Sequence, residues 1–110
     1  MIIAAAIEAD GTIGPAWGKA ETVAIARVAR GRIEAWQEHP VGWQESHDQG
    51  THGSHHARIA AFLREQRVEV VLAHHVGEGM RRMLATMGVT LVDGASGDAR
   101  TAMLAAGPQA

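Results

Sequence analysis

Cysteine is absent from this 110-residue chain, which closes off a disulfide framework and any thiolate-held zinc or iron-sulfur site. The absence suits a reducing compartment. Long apolar runs are missing too: nothing approaches the roughly 18 residues a membrane-spanning helix needs. The opening Met1–Ile7 run has no basic flank and stops at Glu8 and Asp10, so it reads as a buried strand and not as a signal peptide. The expected location is cytoplasmic, away from the membrane. Charge of one sign is also lacking. With 10 Lys+Arg against 12 Asp+Glu, and the arginines scattered, there is no basic footprint for a phosphate backbone, and no nucleic-acid partner is expected. The length suits one domain, residues 1–110, large enough to bury a core without staples.

What the chain does contain is histidine, 7 in all. His47, Asp48, His52, His55 and His56 fall between Pro40 and Ala57, in a stretch with no helical or strand period, and His74-His75 closes the best buried strand. Imidazole is the commonest protein ligand for zinc, iron, copper and nickel, which makes His47, His52, His55, His56, His74 and His75 the candidate metal ligands. His52, His55 and His56 have i, i+3, i+4 spacing, which sets two rings on one face if a helix begins early. The interspersed Ser, Gly, Gln and Asp fit a solvated loop without a site equally well. For His74 and His75 the plain alternative is one ring bonded to backbone under a helix and the other in solvent.

The element pattern is α/β. Ile2–Ile7 is an unbroken apolar strand of the kind covered on both faces. The loop from Glu8 to Glu21 is broken up by Gly11, Gly14, Pro15 and Gly18. Thr22–Ala29, the Arg30-Gly31 turn and Arg32–Gln37 form a hairpin, with Ile33 and Ala35 on one face and Arg32, Glu34 and Trp36 on the other. Glu38–Gly53 has no period. Ser54 is the expected cap of a first helix carrying Ile59, Ala60, Phe62 and Leu63 to Gln66, followed by a strand ending at Ala73. Gly77-Glu78-Gly79 opens a second helix with a Met80, Met83, Leu84, Met87 stripe, stopped by Gly88. Val89–Val92 is a fifth strand, and Ser96 is the expected cap of a last helix burying Ala99, Ala102, Met103 and Ala106.

This order predicts a five-stranded mixed sheet, 3-2-1-4-5 with strand two antiparallel, flanked by helices. Strands one and four then end at one edge, where the connections diverge and a ligand crevice forms. His74 and His75 end strand four, so one of them is expected to face that crevice. Gly77 and Gly79 offer free helix-start amides for an anion, although a two-glycine turn is common without one. Trp17 and Trp43 lie in loops at the same edge, where they either cap a ligand or pack under the loops. The methionine stripe reads as core filler.

The apolar first strand, the Gly-rich loop ending Pro15-Ala16-Trp17-Gly18, the Arg30-Gly31 hairpin, the His-rich break and Val68–Ala73 running into Gly77-Glu78-Gly79-Met80 resemble the dinitrogenase iron-molybdenum cofactor biosynthesis family across nearly the whole chain. The resemblance implies a ribonuclease H-like fold. It also implies a non-enzymatic carrier of the iron-molybdenum cofactor or an iron-sulfur precursor, working with cofactor-assembly proteins. Cofactor contacts are then expected from His74, His75, Trp17, Gly77 and Gly79. Relatives commonly end the first loop with His-Phe-Gly, whereas this chain has Ala16-Trp17-Gly18, so that ligand does not carry over and the His74-His75 pair is the expected replacement.

Other functions are weighed beside it. Nuclease chemistry in such a fold needs several carboxylates around two magnesium ions, one carboxylate within strand one, and that strand is Ile and Ala. No serine or cysteine elbow is present either. The alternative binding function is a mononuclear zinc or nickel buffer or sensor built on the histidine loop. A third is an interaction module, monomer or weak homodimer, docking through a helix face, since Arg32 and Glu34 guard the edge strand against pairing.

Overall fold

The computed structural model describes residues 1–47 and 51–109, with His47 and His52 as backbone alone. β1 (Ile2–Ile7) is the middle strand of a five-stranded sheet, between antiparallel β2 (Thr22–Ala29) and parallel β4 (Val70–Ala73). β3 (Arg32–Pro40) and β5 (Thr90–Asp93) form the edges, so the order is β3-β2-β1-β4-β5, as the sequence pattern requires. Ala4 and Ala6 of β1 face one core cluster while Ile3, Ala5 and Ile7 face another. Burial on both sides explains the missing polar alternation.

The first face carries α1 (Trp43–His47), α2 (His52–Glu65) and α3 (Glu78–Met87); α4 (Ala99–Ala106) lies on the second. The alanines of β1 leave depth above the sheet, and Trp17, Trp43, Ile59, Leu63 and Leu84 fill it, each at most 2% exposed. Small strand residues beneath large helix residues give the interdigitation that core density demands. No helix among the described residues is long and apolar enough to cross a membrane.

Arg30 and Gly31 adopt φ of 55° and 73°, the two left-handed residues of a tight hairpin turn matched to strand twist. β3 departs from simple alternation. Its pairs Arg27–Ala35 and Val28–Ile33 leave Glu34 as an extra residue, a bulge that puts Ile33 and Trp36, not Ile33 and Ala35, against the α4 side. Arg100 of α4 then stacks 4.0 Å above the Trp36 ring. The stretch expected to be irregular also holds more structure: β3 continues to Pro40 and α1 follows.

The caps differ by a few residues from expectation. α2 begins at His52 behind Thr51, whose hydroxyl accepts from the Ser54 amide at 3.1 Å while the Ser54 hydroxyl accepts from the Thr51 amide at 3.1 Å. Ser54 is the third residue of a capping box and not the cap itself. α4 is capped by Asp98, not Ser96, because the intervening Gly97 turns at φ 81° and its carbonyl is held by the Ile13 amide.

Arg30 holds a backbone conformation that costs a side-chain-bearing residue free energy. Replacing it with Asn, which tolerates that region, is expected to raise stability by about 0.5–1 kcal/mol in urea unfolding. A lower midpoint would show that the Arg30 side chain supports the turn in another way.

Asp98 accepts hydrogen bonds from the Thr101 amide and hydroxyl, and these bonds hold its carboxyl below the ordinary value of 3.8. The unfolded chain therefore takes up the proton first as pH falls. The cap's contribution is present above pH 3.8 and is lost below it, towards the folded-state value. Urea midpoints measured from pH 6 to 3 should decline more shallowly at the acid end in Asp98→Ala than in the parent, whereas parallel curves would show that the cap does not couple to protons.

Candidate functional site

β1 and β4 run parallel and end at one edge, beyond which the chain turns towards β2 from one strand and into α3 from the other. A cavity of about 350 Å³ opens at this divergence. That lies near the small end of the roughly 300–1,000 Å³ typical of small-molecule sites. Three pieces of chain wall it: the 3-10 turn Trp17–Lys19 with Ala16 before it, the start of α2, and the β4–α3 connection from His75 to Met80.

His55, His56 and His75 line the cavity. His74 does not, and of the adjacent pair only His75 faces the crevice, although both residues are exposed. The early start of α2 is what places the neighbouring His55 and His56 here. Their rings lie 6.3 Å apart and tilted by 46°, so they do not stack. The side chains of His47 and His52 lie outside the described residues, as does Asp48. His39, the remaining histidine, sits on β3 with its ring 5.5 Å from Phe62.

His55 is the buried polar member of the set, 4% exposed, with its Nε2 2.8 Å from the Gly18 carbonyl. A carbonyl only accepts, so Nε2 carries the proton and donates. His56 is half-buried and lies against α3: a Cβ built on Gly79 would come 2.9 Å from its Cε1. Gly79, read from sequence only as part of an anion cradle, has a second duty in giving the His56 ring room on the first turn of α3. Gly77 is the N-cap of α3 and supplies no side-chain bond. The first-turn amides of α3 therefore have no side-chain acceptor from their cap and favour negative charge nearby. Lys19 and Glu78 add one charge of each sign to the lining.

Trp17 does not cap the cavity. Its ring is 1% exposed and meets Trp43 edge-on at 5.2 Å, and Trp43 meets Phe62 in the same way at 5.5 Å. Both tryptophans pack beneath the loops, with the Trp43 amide anchored to the Ala20 carbonyl at 2.7 Å. The Trp17 contribution to the site is its backbone, whose amide donates to the His75 carbonyl at 3.2 Å. Sequence reasoning missed α1 and with it this anchor; the available signal was two tryptophans and Phe62 in a chain otherwise poor in aromatics.

Asp93, at the same sheet edge, is engaged by the Arg81 guanidinium, whose hydrogen bond holds the carboxyl below its ordinary value. Among the described residues, no group of three or more His, Cys, Asp or Glu is arranged to hold a metal ion. The cavity supplies histidines, helix amides, one ammonium and one carboxylate. Such donors suit a ligand that carries its own metal and negative charge better than a bare divalent ion, which needs several ligands from the protein.

Fold and site together define an open-sheet α/β protein with its cavity at the strand switch. The chain belongs to the dinitrogenase iron-molybdenum cofactor family, whose model matches residues 1–107. The crystal structure of PH0822 superposes with a TM-score of 0.76 at 13% identity, over 96% of this chain and 91% of that one. The mj0327 protein of Methanocaldococcus jannaschii, provisionally named a dinitrogenase, superposes with a TM-score of 0.66 at 10% identity, over 94% of this chain and 84% of that one. At these identities the likeness is one of fold. No curated protein matches the chain.

The Gly79–His56 contact yields a test of the cavity's geometry. Gly79→Ala should leave unfolding stability level or slightly higher, because Ala gains up to about 1 kcal/mol over Gly in helices. The new methyl should push the half-buried His56 ring aside, moving its NMR resonances while those of His74 stay fixed. Unmoved His56 resonances would show that the ring does not rest on Gly79.

Proposed function

We propose that this protein is a non-enzymatic carrier that holds the nitrogenase iron-molybdenum cofactor, or an iron-sulfur precursor of it, in the cavity at the sheet edge. One observation carries the reading: two histidines from separate elements, His56 on α2 and His75 after β4, line the same cavity beside the uncapped start of α3. Family membership supports this choice of cargo. A preassembled cluster brings its own sulfides and needs few protein ligands, so the missing cysteines are compatible with it. Lys19 and the α3 amides suit the negative charge of such a cargo, against the one opposing carboxylate of Glu78.

The departure at Ala16 fits the same reading. Ala16 lines the cavity, so the position at which relatives commonly carry histidine faces the proposed cargo. Here a methyl group stands there, and His56 and His75 take over from other walls. The rest of the proposal follows the family: a ribonuclease H-like fold, supported by the strand order with antiparallel β2, and cytoplasmic work as a monomer or weak homodimer with cofactor-assembly proteins.

Anaerobic titration with isolated iron-molybdenum cofactor, followed by optical and electron paramagnetic spectra, tests this. The parent protein should change the cofactor spectra with one-to-one stoichiometry. His56→Ala and His75→Ala should each weaken binding about tenfold or more, the low end of what losing a ligand costs. His74→Ala should bind as the parent does, and circular dichroism should be the same for all. Unchanged cofactor spectra with the folded parent would remove the proposal.

A further inference from the structure

Of the cavity's histidines, His55 differs from His56 and His75 in a way the carrier reading does not use. It is 4% exposed, and its Nδ1 is buried with under 1 Å² open to solvent. Its Nε2 is committed to the Gly18 carbonyl at 2.8 Å. A metal ligand needs a nitrogen lone pair facing the ligand, and neither ring nitrogen of His55 offers one to the cavity. The residue it grips lies in the 3-10 turn. One residue earlier in that turn, the Trp17 amide donates to the His75 carbonyl at 3.2 Å.

Two adjacent residues of one short turn are therefore bonded to the two elements that carry His56 and His75. Trp17 and Gly18 lie between α2 on one side and the end of β4 on the other. The turn is fixed from below by the Trp17 ring against Trp43. α2 lies close against Gly18: a Cβ built there would meet the His55 Nε2 at 3.7 Å, an ordinary van der Waals contact.

We infer that His55 is a positioning residue: through Gly18 and Trp17 it fixes the spacing between His56 and His75, and it does not itself ligate the cargo. Ligand geometry must hold to a fraction of an ångström to bind well. His75 follows a strand end in an exposed connection, so its placement depends on what holds its backbone. The bond to its own carbonyl comes from the turn that His55 tethers. This inference rests on the cavity being the cargo site, but the tether itself is testable without cargo.

The variants are His55→Ala, which removes the donor, and His55→Gln, whose side-chain amide restores an N–H near the place of Nε2 but provides no imidazole. In the apoprotein, His55→Ala should speed hydrogen exchange of the Trp17 amide about tenfold or more and shift the His75 ring resonances, and His55→Gln should return both towards parent values. With isolated iron-molybdenum cofactor, His55→Ala should weaken binding about tenfold while the bound cofactor keeps the parent's paramagnetic lines, and His55→Gln should recover affinity. If His55→Ala does not fold, His55→Gln decides alone. Parent-like Trp17 exchange, His75 resonances and bound spectrum in His55→Gln support positioning. Altered paramagnetic lines in His55→Gln identify His55 as a ligand and overturn the inference, as does His55→Ala with unchanged Trp17 exchange and His75 resonances. Failure of the parent to bind cofactor removes the carrier function, and the apoprotein measurements still decide the tether.

Discussion

The small side chains of β1 are the constraint on which the rest of this structure depends. Ala4 and Ala6 are fully or almost fully buried, and the space their methyl groups leave is occupied by two tryptophans and the inner faces of α2 and α3. Larger residues in the strand would raise those helices off the sheet and expel the indoles, since close-packed interiors absorb added volume only through strain. Trp17 would then lose its seat, and with it the 3-10 turn that walls the cavity. The chemistry of the sheet edge thus begins with methyl groups several residues inside it. β1 also has an antiparallel neighbour on one side and a parallel one on the other, and this change of connection is what opens a crevice at its end.

The sheet was legible in the sequence because β1, β2 and β4 are mostly apolar blocks and β3 alternates behind a glycine turn. Strand order followed from the handedness of crossovers. What escaped depended on tertiary partners. The bulge at Glu34 has no local mark, and the alternation of Arg32–Gln37 is good enough to pass for a regular strand. α1 spans only Trp43–His47 and is defined by Trp43 reaching Trp17 and Phe62, a contact between segments distant in sequence. Ser96 resembles a helix cap locally, yet the bond from the Ile13 amide to Gly97 sets the register and gives the role to Asp98.

The site was legible by location more than by residue. The switch between β1 and β4 was foreseen, and so was a histidine of the 74–75 pair facing it. The difference in burial between neighbouring histidines was not. Burial separates His55 from His56, adjacent residues of one helix, and adjacency in sequence gives no hint of which ring turns inward to a carbonyl. Gly79 shows the same limit: a glycine at a helix start suggests open amides, but its contact with His56 exists only because α2 and α3 meet.

Under the proposed carrier function, the protein has to bind its cofactor firmly enough to protect it and weakly enough to release it. Few ligands, supplied by the protein to a cargo that brings its own bridging atoms, meet both demands. Thiolates would not, because they are strong, soft ligands that hold iron and zinc tightly. Histidine ligands on separate walls would suit release, since a small displacement of one wall would break one bond and leave the proposed cargo held by the other. In this chain the turn between those walls is bonded to both of them, so their spacing depends on one short element.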